Sequence, residues 1–113
     1  MLIEFFTSET GRAGMKITTD ELKGRELLRR KVKFSERKAF FDKLSQITKD
    51  VNAAQESGDE DTAIEKSMDL VLEMVEGLTR EDLYEMDILD INELAEGTRA
   101  LMSNGGKAGK KNE

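Results

Sequence analysis

The side chains with the most capacity for chemistry in this chain are carboxylates, and their spacing offers little to a metal or a substrate. Asp82, Asp87, Asp90 and Asn92 bring oxygen ligands close together, as a calcium loop would. An EF-hand loop needs ligands at alternate positions, a central glycine and a closing glutamate. Ile88, Leu89 and Ile91 interrupt the alternation, and the glycine is missing. Asp59, Glu60 and Asp61 lead straight into an apolar-periodic stretch, where acids cap a helix and suit its dipole. Paired carboxylates can divide acid and base roles, but nothing here fixes a pair in a cleft. The sequence has no histidine and no cysteine. That excludes imidazole bases, Ser-His-Asp triads, thiolate nucleophiles, disulfides and zinc sites built on His or Cys. No catalytic, cofactor-binding or metal-ligating residue is assigned, and the expectation is a non-enzyme without a cofactor.

The cations are more informative. Between Lys23 and Lys43 there are nine Lys or Arg against three acids; between Asp50 and Glu96 there are sixteen acids against Lys66 and Arg80. A chain polarised in this way can associate with itself, basic face to acidic face, or can pair its two faces within one subunit. The run Arg29-Arg30-Lys31-Val32-Lys33 could touch phosphate, with Phe34, Phe40 and Phe41 nearby to stack on bases. Two features disfavour nucleic acid: the net charge is -6, and the three phenylalanines sit on a helical stripe, where core packing is the commoner reason. A helix-turn-helix over Thr79–Met102 is disfavoured too, because its second helix would present Glu93 and Glu96 to phosphates.

The elements that position these residues read as helices. Ile64, Met68, Val71, Val75 and Leu78 recur at helical spacing, with Leu70, Leu72 and Met74 widening the apolar surface. A helix apolar over most of its girth must be covered from more than one side. The expected central helix spans 60–77. Phe40, Leu44, Ile47, Val51 and Ala54 give a matching stripe for a helix over 35–56, with Ser35 as cap and Phe34 and Ala39 as a staple. The short connection through Gly58 makes the two an antiparallel pair. A short helix over 79–86 begins at Thr79. A closing helix over 91–103 is capped by Asp90, with Leu89 stapled to Leu94. Residues 1–33 are irregular or form short strands and a helix: LIEFF and MKIT suit a hairpin, 19–31 a short helix interrupted by Gly24, and KVKF a short strand. The tail 105–113 is glycine- and lysine-rich and reads as disordered. The whole is expected to be one domain over 1–104, mainly α: a small helical bundle around an antiparallel helix pair, with a short N-terminal β-hairpin as an optional addition.

Charged and apolar residues each make up 37% of the sequence. No stretch of about 18 apolar residues exists to span a bilayer, and MLIEFF lacks the basic flank and apolar length of a secretory signal. The expectation is a soluble, intracellular protein with no membrane partner.

FSERKAFFDKL at 34–44, an acidic gap, the apolar stretch at 63–76 and LTREDLYEMDILDINELAEGTRALM at 78–102 together resemble the tail assembly chaperones of long-tailed bacteriophages. The resemblance covers roughly 30–104. It implies a non-enzymatic protein of the host cytoplasm that binds the tape measure protein, recruits tail tube protein, assembles as a homo-oligomer and is absent from the mature virion. It also implies a longer form made by programmed frameshifting, with which the codons of Gly106-Lys107 and Lys110-Lys111 are compatible. The partner-binding candidates are the cations Lys23, Arg25, Arg29, Arg30, Lys33 and Arg37 and the adaptable methionines Met68, Met74, Met86 and Met102. The alternatives are a helical adaptor or regulator that binds a partner helix, and a nucleic-acid-associated protein using residues 23–43.

Overall fold

A computed structural model describes residues 1–104; the tail expected to be disordered lies outside them. The chain opens with three antiparallel strands, β1 (Leu2–Thr7), β2 (Ala13–Thr18) and β3 (Arg25–Arg29). A 3-10 turn at Phe34–Glu36 leads into α1 (Arg37–Glu56), and α2 (Glu60–Met74) returns along it. The chain then pairs back onto β3 as β4 (Val75–Glu76), before α3 (Arg80–Tyr84) and α4 (Ile88–Asn104). The sheet order is β1-β2-β3-β4.

This corrects the mainly helical expectation. The fold mixes α and β, with a four-stranded antiparallel sheet beside four α-helices among the described residues. The N-terminal hairpin is the first half of that sheet. The short helix expected within 19–31 is instead β3, and KVKF carries no ladder pairing. The period-2 signal of β3 is masked because consecutive Leu27 and Leu28 serve opposite faces. Leu27 is fully buried beside Met15, while Leu28 pairs with Gly14 and Glu76 on the outer side.

One face of the sheet makes half the core. Met15, Ile17, Leu27 and Val75 alternate inward and are at most 1% exposed, whereas Lys16 and Thr18 point out. On the outer side Phe6 lies over Gly14. A Cβ at Gly14 would meet the Phe6 ring and the Leu27 carbonyl, each at 2.7 Å, so only glycine admits that approach.

The helices cover the inner face. α2 packs against both α1 and α4, so the expected central helix is covered from two sides. It stops at Met74, three residues short of expectation, because Val75 turns extended and joins β3. Gly77 follows with φ +104, where a side chain would be strained and would crowd the Glu26 carbonyl at 3.0 Å. α4 reaches the sheet at Gly97, where a Cβ would stand 3.0 Å from Ile3 and 3.3 Å from Met15.

The helix starts differ from the caps expected. Ser35 sits inside the 3-10 turn and caps nothing, and Phe34 is 80% exposed and staples nothing. α4 begins three residues early. Asp87 caps it, accepting the Leu89 N–H on its side chain and the Ile91 N–H on its carbonyl. That puts Leu89 in the first turn, facing out, instead of stapled to Leu94. The staple positions become Met86 and Ile91, both buried.

At α3, Thr79 and Asp82 form a capping box. The Thr79 backbone N–H donates to the Asp82 carboxylate at 3.0 Å and Arg25 donates at 3.2 Å. These contacts, the Thr79 backbone first, hold the Asp82 carboxyl below its ordinary 3.8. A group depressed on folding adds stability above its unfolded pKa and loses it as pH falls through the folded one. Asp82→Asn is therefore expected to cost about 1 kcal/mol at neutral pH and to flatten the decline in stability below about pH 4. Urea midpoints measured from pH 7 to pH 2 check this, and parallel acid limbs for the two proteins would contradict it.

Candidate partner-binding surfaces

The segment between β3 and α1 leaves the aromatics that follow it outside. Phe34 precedes the helix and Phe41 lies a hundred degrees off the buried stripe of Leu44, Ile47, Val51 and Ala54. Both are exposed, at 80% and 49%. Phe40 is half-buried and meets Phe41 edge-on, ring centres 5.4 Å apart. The core reading holds for Phe40, which packs partly buried against the core, and is corrected for Phe34 and Phe41; together with Val32 and Met102 the three line an open groove of about 300 Å³. Arg29, Arg30 and Arg37 complete its rim. The Arg37 guanidinium stands 4.6 Å from the Phe34 ring centre, a cation–π contact that holds both side chains at the mouth.

The partner-binding candidates separate on this geometry. Arg29, Arg30, Arg37 and Met102 meet at the groove. Lys33 is exposed beside it, and Lys23 is exposed near the turn between β2 and β3. Arg30 also has a structural task, donating to the carbonyls of Leu72, Glu73 and Val75 at 2.9 to 3.2 Å where α2 ends. Arg25 donates to Gly77 O and Asp82. Met68, Met74 and Met86 are buried in the core.

Two surface features escaped the sequence reading. Ile88 and Leu89 form an exposed apolar pair, here called the knob, 57% and 70% exposed at the side of an open groove with Ala63 and Ile64, and flanked in sequence by Glu85, Asp87 and Asp90. The signal was present in three apolar residues out of four at 88–91, one more than a half-buried helix start can bury. Arg80, one of only two cations in the acidic stretch, ties α3 to α2 by bonding Glu65 at 2.9 Å and pairing with Asp69. Tyr84 donates to the same Glu65 at 3.2 Å.

Part of the charge polarity closes within the subunit. Lys43 meets Glu73 at 3.1 Å and Lys66 meets Asp50 at 3.8 Å across the α1–α2 pair. Lys23, Arg29, Lys31, Lys33 and Arg37 have no carboxylate partner among the described residues. Among the described residues no cluster of carboxylates is arranged to hold a metal, and no helix is long and apolar enough to cross a membrane.

A family model described as "Phage tail assembly chaperone proteins, E, or 41 or 14" matches residues 46–103. This span runs from the middle of α1 to the end of α4. Comparison with curated proteins and with solved structures gave no match.

Proposed function

The chain belongs to the phage tail assembly chaperone family, and from that premise we propose that it binds the tape measure protein and assists tail tube assembly through multivalent contacts. Its role is in phage tail assembly, with phage tail proteins as partners. The observation that supports the multivalent part of the reading is the pair of exposed apolar surfaces at separate places, the aromatic groove and the exposed Ile88–Leu89 pair, through which copies can join around a client. Contiguous exposed apolar surface of this kind marks a binding site for protein. A tape measure protein is long, and its apolar helices need cover until tube subunits surround them. A small protein with more than one contact surface supplies such cover when several copies act together.

In this reading the chain is not an enzyme and needs no cofactor. It works in the host cytoplasm as a multimer around its client and leaves before the virion is complete. A frameshifted longer form would add a second function to the same fold.

Co-expression with the tape measure protein encoded by the same phage tests the reading. The expected result is a soluble tape measure protein that co-purifies with this chain. A client that stays insoluble and is not retained would end the proposal. Mass spectrometry of purified virions provides a separate check: tail tube protein should be present and this chain absent.

A further inference from the structure

We propose that the aromatic groove is the socket for the Ile88–Leu89 knob of a second copy of this chain, so that copies join head to tail. The proposal deepens the multimeric reading above, and names its interface. Four features support it. The groove is about 300 Å³, at the lower end of the volumes of binding pockets, which is room for a few apolar side chains. Ile88 and Leu89 offer an apolar pair, 57% and 70% exposed along one side of an open groove shared with Ala63 and Ile64 of α2. The charges are complementary: Arg29 and Arg37 rim the groove, with Lys33 beside it, and Glu85, Asp87 and Asp90 flank the knob. One of these acids, Asp90, also faces the N-terminal ammonium at 3.6 Å; Glu85 and Asp87 carry no such cation among the described residues.

The fourth feature is placement. Met102 belongs to the groove and Leu89 to the knob, and α4 separates them by about 20 Å at 1.5 Å per residue. The knob therefore cannot fill the groove of its own chain. Different patches at the two ends of one subunit make a heterologous contact, which continues from copy to copy until a ring closes or a filament grows. A tape measure protein needs cover along its length, and such a chain of copies matches that need.

The test uses the full-length chain without client. Wild-type protein, followed by light scattering across concentration, should form assemblies larger than a dimer that weaken several-fold when salt rises from 0.05 to 1 M, in line with the screening of exposed charges. Phe34→Glu replaces an aromatic wall of the groove with a charge and Leu89→Lys spoils the knob; both positions are mostly exposed, and circular dichroism verifies folding. Each variant alone should be monomeric, with self-affinity reduced by at least about tenfold, equivalent to 1.4 kcal/mol. Mixed one to one, they should give a dimer and stop there, because one intact knob then meets one intact groove. A wild-type monomer at every concentration, which is what a groove reserved for the client would give, overturns the proposal. So does a variant that keeps the wild-type mass, or a mixture that stays monomeric. Arg37→Glu and Ile88→Lys repeat the mixing experiment if either first variant misfolds. Co-purification with the tape measure protein is scored separately, so loss of this interface and loss of the chaperone reading remain distinct results.

Discussion

Leu70→Ala is expected to remove about 2–5 kcal/mol of folding stability, the range for emptying a leucine site in a packed core. Leu70 is 1% exposed on α2, the helix that contacts both α1 and α4. A cavity there weakens the packing of the helix that both neighbours rest on. Against a total of about 5–15 kcal/mol for a domain of this kind, the loss is severe. Urea denaturation should show the midpoint falling with an unchanged slope. Leu72→Ala is the comparison, because Leu72 is only half-buried and should cost less. Equal losses at the two positions would show that α2 is not covered from both sides.

Arg30→Met is expected to cost about 2–3 kcal/mol, although Arg30 lies at the rim of a groove. Its guanidinium donates to three carbonyls at the end of α2, and its own backbone N–H donates to Met74 O at 2.7 Å. The side chain supplies charge-assisted bonds to carbonyls that the helix leaves unpaired, at the negative end of the dipole. Methionine keeps the stem and loses every donor. Arg30→Lys should recover only part of the loss, since one ammonium cannot reproduce a planar fork across three acceptors. Thermal melts give the magnitude, and amide exchange around residues 72–76 gives the location. A lysine variant as stable as the wild type would rule out the fork as the cause.

The parts of the fold that follow one local period were readable. The stripes of α1 and α2, the turn through Gly58 and the need to cover α2 twice all depend on residues close in sequence. The sheet did not announce itself for an equally physical reason. β3 has leucines on both faces, because Leu28 helps cover Gly14 across the ladder while Leu27 enters the core. β4 is two residues that continue a helical pattern until pairing with β3 makes them extended. No local rule signals that exchange, since the partner lies far back in the chain. The site was half legible. The Arg29–Arg37 stretch and its phenylalanines stood out, but whether Phe34 and Phe41 turn in or out depends on where the 3-10 turn ends. Arg25 and Arg30 looked like free cations because the carbonyls they bond belong to residues after Gly58 in the chain.

Arg30 meets Glu73 across 43 positions of sequence, and this sets the order in which a nascent chain can finish. The first three strands leave the ribosome as a local meander and can pair at once. Their inner face, with Met15, Ile17 and Leu27, has its cover made last, for α4 is the element that reaches the sheet at Gly97. Until that helix emerges, the growing polypeptide shows an apolar sheet face, the kind of surface that aggregates before it folds. Synthesis halted before Ile88 would leave that face bare.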